Sequence, residues 1–198
     1  MRQGESLSPF LFALYLNDLE TEFVNYGVKG ITVGRLKLSL LLYADDAILF
    51  SDNEKDMQLS INALNQYCKR WKLIVNIDKT KLMIFSKRGN IQRNRNVYYA
   101  ESKLEIVSYF TYLSIRFSST GSFSVAQKTL AEQGSKAMFS LQKNLTRFSG
   151  IRPTLAMDIF DKVIVPVVSY GSKVWGFHPA IAIEVLQKDI MREKKHTQ

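Results

Sequence analysis

Two short apolar runs, Leu38 to Tyr43 and Ala47 to Ser51, flank Ala44-Asp45-Asp46 and constrain the fold more than any other part of the chain. Each run is too short and too interrupted for a helix. Two such runs about a turn-forming pair predict a tight β-hairpin. Its tip would carry two neighbouring carboxylates, which repel each other unless a cation neutralises them. Hard oxygen ligands on a rigid turn suit Mg2+, and paired Mg2+ ions ~3.5–4 Å apart drive in-line phosphoryl displacement. Asp also favours plain solvent-facing turns, so the rest of the chain must decide between the two readings.

Ser8-Pro9 predicts a helix start, with Ser8 as N-cap and Pro9 at the first position. Phe10, Leu11, Leu14, Leu19 and Phe23 continue one helix to Tyr26-Gly27, where Gly27 serves as C-cap. Ser51-Asp52-Asn53-Glu54 has capping-box spacing and opens a second helix, along which Met57, Ile61, Leu64, Cys68 and Trp71 recur at helical intervals. Cys68 is therefore expected as a buried core thiol. Leu73 to Asn76, Lys81 to Ser86, Val97 to Tyr99 and Tyr109 to Phe117 read as β segments, and 87–96 as an exposed loop. From Phe123 to Phe148 the pattern is helical: Leu130, Ala137, Met138, Leu141, Leu145 and Phe148 share one face. Lys128, Lys136, Lys143 and Arg147 share the opposite one, with Glu132 as the offsetting acid and Phe139 as an apolar exception. A further apolar segment, Leu155 to Val168, is expected to break at Pro166.

Composition narrows the function classes. The 198 residues carry a net charge of +9, with 46% hydrophobic and 23% charged residues, the balance of a folding chain. Residues 1–90 hold 12 basic and 10 acidic side chains, residues 91–198 hold 15 and 8, an asymmetry that suits a polyanion-binding surface. A single cysteine excludes an internal disulfide framework, and two histidines exclude a Cys/His zinc module. No apolar run approaches the ~20 residues of a membrane span, and the first residues lack a secretory signal pattern. An intracellular location is expected, nucleus or cytoplasm left open, with no membrane partner and the oligomeric state undetermined.

Four segments in order resemble the reverse transcriptase family, in the style of non-LTR (LINE-type) retrotransposon polymerases. Arg2-Gln3-Gly4-Glu5-Ser6-Leu7-Ser8-Pro9 resembles its motif B, and Leu42-Tyr43-Ala44-Asp45-Asp46 its motif C. Asn76-Ile77-Asp78-Lys79-Thr80-Lys81 is similar to motif D, and Phe110-Thr111-Tyr112-Leu113-Ser114-Ile115 to motif E, the primer grip. The match covers residues 2 to about 117.

The resemblance implies an RNA-directed DNA polymerase that uses RNA template, DNA primer, dNTPs and two Mg2+ ions. Asp45 would be a ligand of the catalytic metal pair and Asp46 an accessory ligand. Tyr43 and Ala44 would lie near the primer terminus and incoming nucleotide, Gln3 and Gly4 beside nucleotide and template. Lys79 would protonate the leaving pyrophosphate or steady the triphosphate, with Lys81 as the alternative. Tyr112, Leu113, Ser114 and Ile115 would support the primer, although Ser114 stands where the family usually has Gly. Lys128, Lys136, Lys143 and Arg147 would track phosphates. The implied fold is α+β: residues 1–117 a partial palm of hairpin strands on helices, 118–180 a helical thumb-like region, 181–198 a charged, fraying tail. The family's first catalytic carboxylate belongs to motif A, upstream of motif B, together with the fingers. Neither is found in these residues, so the chain alone is expected to be inactive. The alternative is a non-catalytic basic nucleic-acid-binding module, and a third reading is a decayed fragment without a stable fold.

Overall fold

A computed structural model describes residues 7–87, 95–145 and 153–175. In chain order the elements are α1 (Ser8–Tyr15), α2 (Leu19–Asn25), β1 (Ile31–Val33), β2 (Leu36–Leu38), β3 (Leu40–Tyr43), β4 (Asp46–Leu49) and α3 (Glu54–Trp71). There follow β5 (Lys81–Met83), β6 (Tyr98–Tyr99), β7 (Ser102–Lys103), β8 (Glu105–Val107), β9 (Tyr109–Tyr112) and β10 (Ile115–Ser118). The helices α4 (Ser124–Leu145), α5 (Pro153–Ser169) and α6 (Ser172–Trp175) complete the order. The mixture is α+β, and the strands pair two at a time: β1 with β2, β3 with β4, β5 with β8, β6 with β7, and β9 with β10. Two compact units result, one of residues 1–82 and 92–106, the other of 83–91 and 107–198.

The first unit is organised around Leu19, Phe23, Ala63 and Tyr67, with Leu16, Val28, Leu40, Leu49, Leu64, Trp71 and Leu73 packed on them. The helix predicted from Ser8 to Tyr26 is in fact two. Leu19 N–H turns back to Leu16 O at 3.1 Å, so Tyr15 O loses the partner it would have in a continuous helix. The Tyr67 hydroxyl lies against that carbonyl at 2.9 Å and against Asp18 Oδ1 at 2.5 Å. A buried phenol from α3 thus occupies the interruption. Burial first, and the hydrogen-bonded Asp18 carboxylate second, hold the Tyr67 phenol well above its ordinary pKa of 10.0.

The end of α2 matches its sequence signal. Gly27, at φ +77, donates its N–H to Val24 O, and Val28 N–H reaches Phe23 O, the paired bonds of a Schellman cap, with Val28 packed on the Phe23 cluster. The start of α3 is displaced from its predicted box. Asn53 rather than Ser51 is the N-cap, its side chain accepting from Asp56 N–H at 2.9 Å while its amide donates to Asp56 Oδ2 at 2.8 Å. Glu54 is freed for the far side of the chain and accepts from Asn96 N–H at 3.0 Å. Cys68 is buried as expected, at 4% exposure.

Leu73 to Asn76 forms no strand, because the chain instead enters a turn closed by Thr80 N–H to Asn76 O at 3.0 Å. In the second unit, the β9–β10 hairpin and helices α4 and α5 lie in sequence order. Ala126, Leu130 and Ala131 of α4 and Ile164 of α5 are buried. The expected break at Pro166 does not occur, and α5 runs through to Ser169. A proline removes one main-chain donor from a helix, and here the following turn is supported by Ser169 Oγ donating to Val165 O at 2.7 Å.

Candidate active site

The β3–β4 ladder pairs Leu40 with Leu49, Leu41 with Ile48, Leu42 with Ala47 and Tyr43 with Asp46, leaving Ala44 and Asp45 as a two-residue turn. Ala44 takes φ +51, the sign that tight hairpin turns demand at their first central residue. In a residue bearing a Cβ that conformation costs about 1–2 kcal/mol, and the ladder on both sides enforces it. The base of the hairpin is fixed because Leu40 and Leu49 pack on the α2–α3 core. Ser39 O accepts from Phe50 N–H at 2.9 Å just below them.

Side-chain alternation then sorts the tip. Leu42 and Ala47 share the face of Leu40 and Leu49, while Leu41, Tyr43, Asp46 and Ile48 take the other. Asp46 accordingly stands beside Tyr43 on the outer face, and Asp45 sits in the turn. All three are exposed, Tyr43 at 59%. Two hard-oxygen donors at an open tip fit a Mg2+ that completes its coordination with water and substrate phosphate, the usual habit of that ion. Among the described residues no group of three or more His, Cys, Asp and Glu side chains is placed to hold a metal on its own.

Lys79 lies on a turn in the same unit. Its N–H donates to Asn76 Oδ1 at 3.1 Å, and Thr80 Oγ1 donates to Asn76 O at 2.8 Å, so Asn76 shapes the turn that displays the lysine. The Lys79 side chain is exposed. Lys81 differs: its Nζ is bound to Glu105 Oε2 at 2.6 Å, which leaves Lys79 as the more available cation of the two.

In the second unit, β9 and β10 pair Tyr112 with Ile115 across a two-residue turn of Leu113 and Ser114. Both turn residues have positive φ, +47 and +65, the backbone that favours Asn-Gly or Gly-Gly. The departure from Gly at Ser114 therefore falls on a position whose geometry asks for Gly. Ile115 is buried, Tyr112 and Leu113 are half-buried and Ser114 is exposed. Tyr170, just past α5, donates its hydroxyl to Leu113 O at 2.9 Å. Nothing in the sequence pattern pointed to Tyr170, since the bond spans 57 positions. Behind the tip, the Arg116 guanidinium lies 5.0 Å from the centre of the Tyr109 ring, a cation–π spacing.

Lys128, Lys136 and Lys143 are exposed on α4, as is Phe139. Arg147, Gln3 and Gly4 lie outside the described residues.

The family model for reverse transcriptase (RNA-dependent DNA polymerase) matches residues 1–139. The chain belongs to the reverse transcriptase family. Curated relatives of this reverse transcriptase chain come from transposable elements. It is 24% identical over 152 residues to a transposon-derived protein of Caenorhabditis elegans, covering 75% of the chain and 52% of that protein. It is 26% identical over 199 residues to a probable RNA-directed DNA polymerase from transposon BS of Drosophila melanogaster, 96% of the chain and 21% of the relative. It is 24% identical over 200 residues to a Pol polyprotein from the type-1 retrotransposable element R2 of Popillia japonica, 95% and 30% respectively. The reverse transcriptase chain thus spans about half the length of the first relative and a fifth to a third of the other two. No solved structure matches it. No helix among the described residues is long and apolar enough to cross a membrane.

Proposed function

We propose that this chain forms the metal-binding and primer-holding part of a non-LTR retrotransposon polymerase, one that extends a DNA primer on an RNA template. The observation that carries the reading is the Asp45-Asp46 tip, exposed on a hairpin whose Leu40–Leu49 base is anchored in the core. Asp45 and Asp46 would hold Mg2+, which when bound polarises phosphoryl oxygens and balances the charge that develops on them. Tyr43, on the same outer face as Asp46, would pack at the primer terminus, and Ala44, having only a methyl group, would admit the incoming nucleotide. Gln3 and Gly4 would line the nucleotide and template. Lys79 is assigned the pyrophosphate, a choice supported by the ion pair that occupies Lys81. Tyr112, Leu113, Ser114 and Ile115 would steady the primer. Residues 1–117 would then be palm and 118–180 thumb.

Two carboxylates are one short of a complete two-metal ligand set, and the described residues offer no cluster of three. We assign the remaining carboxylate to a segment outside residues 1–198, supplied by a longer product or a partner, and the isolated polypeptide is proposed to be inactive. Extension of a primed RNA template with dNTPs and Mg2+ tests this. No extension is expected from residues 1–198 alone. Extension is expected from a polypeptide that also carries an upstream motif A, falling by on the order of a thousandfold with Asp45→Asn. Undiminished extension by Asp45→Asn would refute the site.

The basic face of α4 supports a second reading for the isolated polypeptide, sequence-independent nucleic-acid binding without catalysis. Lys128, Lys136 and Lys143 are exposed along it, and Glu132 is the only acid on the helix.

A further inference from the structure

The exposed face of α4 holds one large apolar residue, Phe139, that phosphate contact does not use. At ~100° per residue, Lys128, Phe139, Glu132, Lys143 and Lys136 fall in that order within about 80° of arc. The buried Ala126, Leu130 and Ala131 lie outside it. Phe139 comes three residues after Lys136 and four before Lys143, the two spacings that make helix-surface neighbours. Its ring is 61% exposed, so it forgoes most of the ~1.5–3 kcal/mol that burying a large apolar side chain contributes.

We propose that this face binds single-stranded nucleic acid, with Phe139 stacking on an unpaired base while Lys128, Lys136 and Lys143 hold the flanking phosphates. The inference rests on the reading of the face as nucleic-acid-binding, and adds the role of the ring and the preference for unpaired strand. Charge alone favours a duplex, whose phosphates are twice as dense along the axis as those of one strand. A ring reverses that order, because a duplex covers its base faces whereas a single strand offers a π-face at each nucleotide. From Lys128 to Lys143 the helix runs ~22 Å, long enough to follow several nucleotides of one strand.

Fluorescence anisotropy of the 198-residue chain with a labelled 16-nucleotide oligo-U, and with a 16-base-pair RNA duplex, tests this across a salt series. The single strand is expected to bind more tightly. Phe139→Ala should weaken single-strand binding roughly 5- to 100-fold, with the salt slope and duplex affinity unchanged. Phe139→Leu should behave like Phe139→Ala, and Phe139→Trp should restore binding. Changing all three lysines to Gln should reduce the salt slope by about 2. Lysine dependence without any effect of Phe139→Ala, or an equal loss on duplex, overturns the stacking role and leaves the basic face standing. Binding that ignores the lysines, or no binding to either probe, overturns both.

Discussion

Replacing Gly30 with Ala probes the geometry that aims the Asp45-Asp46 hairpin. Gly30 is buried at the entry to β1 with φ +65. A Cβ there would lie 2.4 Å from Leu38 O and 2.7 Å from Leu38 C and Ser39 Cα. All three are main-chain atoms and none can rotate away, so the backbone must move by at least 0.6 Å to restore a 3.0 Å approach. Overpacking of this kind costs about 1–3 kcal/mol, and the left-handed conformation about 1–2 kcal/mol more. The stiffer unfolded chain returns only about 0.4–1 kcal/mol. Gly30→Ala should therefore destabilise by about 2–4 kcal/mol, a fall in Tm on the order of 10 °C for a chain of this size. Gly34→Ala is the control: φ is +63, yet nothing lies within 4 Å of its Cβ, so it keeps the conformational cost and loses the clash. Thermal melts by circular dichroism compare the two. Ser39 O closes the hairpin base through Phe50 N–H, so Gly30→Ala should also speed amide exchange at Phe50. Equal melting of the two variants would refute the close approach, and with it the account of how the hairpin is held.

Two further outcomes follow from strained or buried groups. Ser114→Gly should raise the urea midpoint, because relief of a left-handed serine, ~1–2 kcal/mol, exceeds the ~0.5–1 kcal/mol by which glycine loosens the unfolded chain. Ser114→Ala should give no gain, and a gain from Ser114→Ala equal to that from Ser114→Gly would discredit the φ assignment. The raised phenol of Tyr67 sets an alkaline limit. Above pH 10 the unfolded chain releases this proton while the folded one keeps it, so stability falls as pH rises. Tyr67→Phe should flatten that slope while costing about 1–3 kcal/mol at neutral pH from the hydroxyl lost to Tyr15 O, read by urea titrations at pH 7 and 10.5.

The hairpin around Ala44-Asp45-Asp46, the Gly27 cap and the long basic helix were legible because each is written locally. Two apolar runs, one glycine after an amphipathic stretch, and a 3.6-residue period all act over a few neighbours. The misread elements depend on residues far away in the chain. The helix break after Tyr15 is filled by Tyr67, 52 positions on, and Glu54 leaves its predicted capping role for the main chain of Asn96, 42 positions on. Asn53 takes the cap by offering an acceptor and a donor to Asp56 at once, while the Ser51 hydroxyl donates to Asn53 O.

The candidate site divides the same way. Its residue types were readable, but their relative availability was not: only the pairing of Lys81 with Glu105, 24 positions away, separates Lys79 from its neighbour. The Ser114 position shows how the two kinds of information combine. Sequence resemblance marked it as a departure from glycine, and the backbone supplies the reason that glycine suits it, a positive φ at the turn. The same turn is also tied through the main-chain carbonyl of Leu113 to the hydroxyl of Tyr170, a bond that the side chain at 114 does not make. A strained turn held by a bond from the residue just past α5 is set by two opposing terms. The hairpin tip should therefore respond to Ser114 and Tyr170 as a coupled pair, with Tyr170→Phe more costly in the serine chain than in the Ser114→Gly chain.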